Sequence, residues 1–212
     1  MVVLSIEEAG RGRFRCRAED GRVFILTGRE LAHTGAVVRE GSASLEESAF
    51  GELMDYLYRK ALGRCGNLLA GMDYPKRKLE EKLERDGYPA DIRERVIREL
   101  AGARYLDDSR YAANYVASGL SSKSLSRIRM ELQEKGIDRD MIDEAAALAA
   151  KDTDIPGMER TQIRAYLAKK HYDPENSSFE ERQKLMAALY RRGYSAGLIR
   201  TELGSPEDGD GI

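Results

Sequence analysis

An alternation of apolar and polar residues with helical spacing runs through most of the chain, and one pattern in it occurs three times. Each copy is an amphipathic helix that ends at a glycine, with apolar residues eight and four positions before it. The glycines are Gly87, Gly136 and Gly193, and the apolar pairs are Leu79 and Leu83, Ile128 and Leu132, and Leu185 and Leu189. Glycine suits the left-handed backbone just past a helix end because it has no Cβ. The pattern predicts three copies of one helical unit.

The residues around each glycine complete this unit. Two positions after the glycine stands a residue that suits a helix start, namely Pro89, Asp138 or Ser195. Ile92, Met141 and Leu198 share one offset in the helix that follows, and the apolar segments 61–69, 111–116 and 163–167 supply an upstream helix. The glycines lie 49 and 57 residues apart, which leaves room for three short helices in each unit. We therefore predict a mainly α fold of three tandem three-helix repeats in an elongated curved array.

The first 40 residues have a different pattern. Short segments rich in β-formers (VVLSI, RFRCRAE and RVFILT) surround a hairpin signal at Asp20-Gly21, which predicts a small β-rich region of three strands. Ser44 and Glu47 match a capping box, so we expect a helix to begin after Ser44. Ser178 and Glu181 match a second one.

These signals divide the chain into five predicted segments. They are a β-rich region over 1–43, a first repeat with its leading helix over 44–102, a second repeat over 103–152, a third over 153–203 and a disordered acidic tail over 204–212. Pro156-Gly157 indicates a linker over 151–160.

Motifs for catalysis are missing from the sequence. His33 and His171 lie far apart and have no catalytic neighbours. Asp107-Asp108 suits helix capping better than metal binding, because adjacent carboxylates on a helix point in different directions. We expect no catalytic residue, no metal, no cofactor and no enzyme activity. Tyr74, Tyr88, Tyr105, Tyr172 and Tyr194 lie near predicted helix ends, where we expect packing rather than stacking on bases.

Cysteine use and hydropathy indicate a cytoplasmic protein without membrane contact. Cys16 and Cys65 are 49 positions apart, so neither belongs to a metal or redox pair and no disulfide framework is expected. The chain starts without the basic and apolar regions of a signal peptide, and no run approaches the ~18 apolar residues of a membrane span.

Charge alternates along the chain behind a net value of −2. Residues 1–56 carry −3, residues 57–102 carry +3, residues 103–159 carry −3 and residues 160–203 carry +4. Basic helices stacked in an array would form a positive track for a long anionic or acidic partner. The candidate binding residues are Lys76, Arg77, Lys78, Lys82, Arg110, Lys123, Arg127, Arg129, Lys135, Arg164, Lys169, Lys170, Arg182, Lys184, Arg191 and Arg192.

The strings RYLDDSRYAANYV and SLSRIRMELQEKGIDRDMIDEA closely resemble the RecX family, bacterial regulators of the RecA recombinase. The matching positions are Tyr105, Leu106, Asp107, Asp108, Arg110, Tyr111, Ala112, Arg127, Glu131, Leu132, Lys135 and Gly136. The resemblance implies tandem three-helix repeats and a monomeric regulator in the groove of the RecA filament on single-stranded DNA. It also implies an effect on filament growth, strand exchange and co-protease activity that is usually inhibitory. With a pI of about 5.9, we expect DNA contact to be weak or indirect.

A stand-alone DNA-binding module is the alternative. ELQEKGIDRDMIDEA has the helix, glycine turn and second helix of a helix-turn-helix. Its would-be recognition helix carries Asp138, Asp140, Asp143 and Glu144, whose charges repel phosphates.

Overall fold

The computed structural model describes residues 1–204, and the chain divides into two compact units, Met1–Asp107 and Asp108–Ile212. The strands of the first unit are β1 (Val2–Glu8), β2 (Arg13–Ala18), β3 (Val23–Thr27), β4 (Val37–Arg39) and β5 (Ser42–Leu45). Its helices are α1 (Gly28–His33), α2 (Glu47–Leu69), α3 (Lys76–Asp86) and α4 (Ala90–Gly102). The described part of the second unit contains α5 (Asp108–Gly119), α6 (Leu125–Glu134), α7 (Arg139–Asp152), α8 (Ile155–Lys169), α9 (Phe179–Arg191) and α10 (Ala196–Glu202).

The N-terminal region is an antiparallel sheet with strand order β3-β2-β1-β5-β4. The three predicted segments are β1, β2 and β3, and the predicted hairpin turn has Gly21 at a φ of 87°. Two further strands join them, so the prediction of three strands was wrong. β4 and β5 have only three and four residues, and β5 alternates serine with apolar residues in a run too short for a clear strand pattern.

The capping box predicted at Ser44 is also wrong. Ser44 lies in β5, where it is paired with Val3 on one side and Val37 on the other. Because strand pairing continues through Leu45, the helix starts too far along the chain for Ser44 to be its cap residue. α2 begins at Glu47, after Glu46, whose side chain makes no cap hydrogen bond.

The predicted helical repeats are confirmed. Gly87, Gly136 and Gly193 have φ values of 89°, 86° and 89°, in the left-handed region. Each follows a helix end at which the glycine N–H and the next N–H donate back to carbonyl oxygens of the last turn, a Schellman arrangement. α2, α3 and α4 form the first repeat, α5, α6 and α7 the second, and α8, α9 and α10 the third.

The apolar positions are confirmed in part. Leu79, Leu83, Ile128, Leu132 and Leu189 are fully buried, whereas Leu185 is half-buried. In the helix after the glycine, Ile92 is buried, but Met141 and Leu198 are half-buried and their neighbours Ile142 and Ile199 fill the core. A shift of one residue turns the buried face by about 100°, so the last helix of the first repeat packs on a different face.

The predicted linker over 151–160 is wrong. α7 continues to Asp152 and α8 begins at Ile155, which leaves only two residues between them. Pro156 lies in the first turn of α8, where its missing N–H costs no hydrogen bond, and Asp154 caps the helix by accepting from the N–H of Gly157 at 3.1 Å. The second capping box is confirmed, since Ser178 and Glu181 form it at the start of α9.

The division of the chain into five domains and segments remains a prediction. Of the predicted tail 204–212, only Gly204 belongs to the described residues.

Candidate partner-binding surface

A cluster of charged and aromatic side chains surrounds Glu131 in the second repeat. Oε2 of Glu131 accepts hydrogen bonds from the hydroxyl of Tyr115 at 2.6 Å and from Nζ of Lys123 at 2.5 Å. Its Oε1 accepts from Nε of Arg127 at 3.0 Å. Lys123 and Lys135 both lie over the Tyr115 ring, at 5.5 and 5.3 Å from its centroid. We call these five residues the Glu131 cluster.

Two helices and the turn before the second of them hold these side chains in place. Tyr115 lies on α5 beside the buried Val116, whereas Glu131 lies on α6 beside the buried Leu132. α5 and α6 therefore bring the two polar side chains together as their apolar neighbours enter the core. Arg127 and Lys135 stand four residues before and after Glu131, on the same face of the helix.

The electrostatics of the cluster favour an ionised carboxylate. The hydrogen bond from Lys123 lowers the pKa of Glu131 most, and the bond from Tyr115 lowers it further, to about 2. The Glu131 side chain is only 14% exposed, so its negative charge interacts mainly with the cations of the cluster. Its carboxylate in turn raises the pKa of Lys123, which therefore stays a cation.

The cluster has more positive charge than it neutralises internally. Lys123, Arg127 and Lys135 supply three cations against the single carboxylate of Glu131. Tyr111 stacks on Tyr115 with ring centroids 5.9 Å apart, which extends the aromatic surface along α5. A cationic and aromatic surface of this kind can bind a carboxylate or a phosphate group of a partner.

The third repeat has a similar pair at the matching place. Arg192, which precedes Gly193 as Lys135 precedes Gly136, lies over the Tyr166 ring at 4.5 Å. In the first repeat Asp86 occupies that position and accepts from Nε of Arg64 on α2 at 2.9 Å. The residue before each glycine thus contacts the first helix of its own repeat in all three copies.

Several other predicted residues are held within their own unit by ion pairs, a ring contact or a hydrogen bond to the backbone. Arg77 and Lys78 both pair with Glu81, Lys82 lies over Tyr74, Arg129 pairs with Asp143, Arg164 pairs with Glu202, and Arg182 donates to the carbonyl oxygen of Pro174. The pairs in which both side chains are exposed contribute little to stability.

Further predicted residues lie at helix ends or on exposed helix faces. Lys76 begins α3, Arg110 lies in the first turn of α5, Lys169 and Lys170 lie at the end of α8, and Lys184 and Arg191 lie on α9. Of the sixteen predicted residues, Lys123, Arg127 and Lys135 are those brought together in the Glu131 cluster.

The structure also shows where the acidic pair and the tyrosines considered in the sequence analysis lie. α5 begins at Asp108, so Asp107 immediately precedes the helix, where an acidic residue suits the free amides. Tyr88 and Tyr194 are buried, as the packing prediction requires, while Tyr105 is 65% exposed.

In the described residues 1–204 no group of three or more His, Cys, Asp or Glu side chains is placed to hold a metal. None of the helices described is long and apolar enough to cross a membrane.

Sequence reasoning did not identify Tyr115, and it identified Glu131 only as a position of the family motif and not as a candidate binding residue. Tyr115 and Glu131 are 16 residues apart and their contact depends on how α5 packs against α6. The available signal was the i, i+4 spacing of Tyr111 and Tyr115, which places both rings on one helix face.

Comparison with known proteins supports the helical repeats. The family model described as RecX, second three-helix domain, matches residues 107–145, and the one described as RecX, third three-helix domain, matches residues 159–203. A crystal structure of regulatory protein RecX has a TM-score of 0.62, covers 95% of this chain and 98% of that one, and is 22% identical. RecX from Lactobacillus salivarius has a TM-score of 0.55 at 24% identity, over 71% of this chain and 94% of that one. The chain is a protein of tandem three-helix repeats.

Curated relatives identify the family within that class. Regulatory protein RecX of Clostridioides difficile (strain 630) is 30% identical over 207 residues, which covers 95% of this chain and 94% of the relative. Regulatory protein RecX of Mycobacterium ulcerans (strain Agy99) is 32% identical over 139 residues, which covers 64% of this chain and 78% of the relative. The chain belongs to the RecX family of regulatory proteins.

Proposed function

We propose that the chain is a non-catalytic monomeric regulator that binds RecA recombinase filaments on single-stranded DNA. Bound to the filament, it inhibits filament growth, strand exchange and co-protease activity. DNA contact within this complex is weak or indirect, and the cytoplasm is the place where the chain meets RecA.

The observation that carries the proposal is the Glu131 cluster. Arg127, Glu131 and Lys135 are positions of the RecX motif, and they converge on one surface with Tyr115. The Glu131 carboxylate orients Lys123 and Arg127, and the Tyr115 ring holds Lys135. The three cations are therefore pre-organised for an acidic surface, which lowers the entropy lost on binding. We therefore assign RecA binding first to this cluster and then to the remaining basic residues.

The helix-turn-helix alternative is disfavoured by α7. Asp138, Asp140 and Glu144 are exposed at the start of the helix that would enter the major groove. Asp143 is bound to Arg129 at 2.7 Å, which removes that arginine from contact with phosphate. Like charges facing a phosphate backbone weaken binding, so direct duplex readout by this helix is not the function we propose.

The test measures RecA activity with and without the full chain. At a molar ratio near that of RecA in the filament, we expect the chain to lower DNA-dependent ATP hydrolysis and LexA cleavage. The double variant Arg127→Gln, Lys135→Gln, called the cluster variant, removes two cations and should inhibit at least about tenfold less, as loss of ~1.4 kcal/mol of binding would give.

A matched control removes the same charge elsewhere in the same unit. Arg139 and Lys151 are exposed on α7, so the double variant Arg139→Gln, Lys151→Gln, called the α7 control variant, should inhibit like the wild type. No effect of the wild type on RecA would refute the proposed function. Equal loss in both variants would refute the assignment to the cluster.

A further inference from the structure

The N-terminal sheet has one face toward the core and one face toward solvent. Leu4, Cys16, Phe24 and Ala43 point into the core, and the alternating residues point outward. At β3 the outer face is partly covered, because Ile25 packs against Gly87 and its N–H donates to the Gly87 carbonyl oxygen at 2.9 Å. The open part of this face therefore extends over β2, β1, β5 and β4.

Arginine is concentrated on the open part of the face. β2 presents Arg13, Arg15 and Arg17 at every second residue, all exposed, which spaces them about 6.8 Å apart along the strand. Arg39 is exposed on β4. Glu7, opposite Arg15 in the register, is the acidic residue that the strands place on this face.

One row across the sheet places two hydroxyl groups between two cations. Strand pairing aligns Arg17 with Ser5, Ser5 with Ser42, and Ser42 with Arg39. The two arginines stand three strand spacings apart, roughly 14 Å, with two serine hydroxyls between them. Guanidinium and hydroxyl groups are the donors that proteins commonly direct to phosphate oxygens.

The local charge is opposite to that of the surrounding sequence. Residues 1–56 contain 7 Lys and Arg against 10 Asp and Glu, yet four of these arginines and one of these acids lie on the outer face. Segregation of this kind gives the face a positive potential in a region of net negative charge.

We propose that this sheet face binds the phosphate backbone of a single-stranded nucleic acid, without reading its sequence. The even spacing of the β2 arginines suits a polymer with charges at a regular repeat. Besides Glu7, the open rows present arginine, serine and valine side chains without an aromatic ring for base stacking, so phosphate contacts dominate. The inference concerns residues outside the Glu131 cluster and does not depend on RecA.

The test titrates the full chain against fluorescein-labelled oligothymidylate by fluorescence anisotropy over a range of salt concentrations. The triple variant Arg13→Gln, Arg15→Gln, Arg17→Gln should bind at least about tenfold more weakly at low salt. Because each phosphate contact on a single strand contributes about 0.7 to the slope of log K against log salt, the slope should fall by about 2.

The matched control is the triple variant Arg29→Gln, Arg59→Gln, Arg98→Gln, which removes the same charge from exposed helical positions of the same unit. It should keep the wild-type slope, and both variants should keep the wild-type circular dichroism spectrum. The proposal is overturned if the wild type does not bind at low salt, if both variants lose the same slope, or if duplex DNA is preferred. It is also overturned if polyglutamate displaces the oligonucleotide as well as unlabelled oligothymidylate does.

Discussion

The hydroxyl of Ser124 donates a hydrogen bond of 2.7 Å to the carbonyl oxygen of Arg192, 68 residues further along the chain. Oγ of Ser124 also accepts from the N–H of Arg127 at 3.2 Å and so caps α6. Ser124 is fully buried, and it connects the second repeat to the turn that contains Gly193 in the third. One small side chain therefore fixes both a helix start and the packing between two repeats.

Replacing Ser124 with alanine should destabilise both features. Loss of an N-cap costs about 1 kcal/mol, and loss of the hydrogen bond to the Arg192 carbonyl oxygen costs about 1 kcal/mol more. We expect the free energy of opening at the Ile128 and Leu132 amides to fall by about 2 kcal/mol in hydrogen exchange. The exposed Ser122→Ala should change it by less than about 0.5 kcal/mol. Equal exchange in both variants would contradict this role of Ser124.

Replacement by alanine should have opposite effects on stability at Gly193 and at Gly197. At Gly193 the φ is 89°, and a Cβ would lie 2.6 Å from Oγ of Ser124 and 3.1 Å from the backbone nitrogen of Arg127. Gly193→Ala should therefore lower the melting temperature, since the left-handed backbone alone costs about 1–2 kcal/mol. Gly197 is helical with open space around its Cα, so Gly197→Ala should raise stability by up to about 1 kcal/mol. A similar melting temperature for both variants would contradict the close contact between repeats.

Glu131 should make the second unit sensitive to acid in a defined window. Its folded pKa of about 2 lies below the ordinary value of 4.5, so the ionised form stabilises the fold above pH 4.5. That contribution is lost as the pH falls from 4.5 toward 2. Glu131→Gln removes the titration, and its melting temperature should fall less steeply over this window than that of the wild type. Parallel pH profiles would show that Glu131 does not titrate as the cluster requires.

The two roles of Tyr115 can be separated. Tyr115→Phe removes the hydrogen bond to Glu131 but keeps the ring under Lys135, whereas Tyr115→Ala removes both. We expect Tyr115→Phe to lower stability by about 1 kcal/mol and to inhibit RecA as the wild type does. Tyr115→Ala should inhibit less, because Lys135 loses the ring that positions it. Equal inhibition by all three proteins would exclude a part for the ring.

The sequence predicted the features that depend on local spacing. A few neighbouring residues determine the helix ends at Gly87, Gly136 and Gly193 and the capping box at Ser178. The structure has these features where the pattern predicted them. Ser44 failed for the opposite reason: its capping pattern is local, but pairing with two strands held it in the sheet.

The candidate surface was less predictable. Arg127, Lys123 and Lys135 were identified from charge, but their convergence around Glu131 and the Tyr115 ring depends on tertiary packing of α5 against α6. Contacts such as Ser124 with Arg192 leave no mark in local spacing at all, because they form only when two repeats pack together.

The most direct test of RecA binding by the Glu131 cluster is cosedimentation of the chain with RecA filaments on single-stranded DNA. We expect the wild type and the α7 control variant to sediment with the filament at equal affinity, and the cluster variant to bind at least about tenfold more weakly while keeping its helical content. Equal binding by all three would place the RecA contact elsewhere, and failure of the wild type to sediment would contradict the account as a whole.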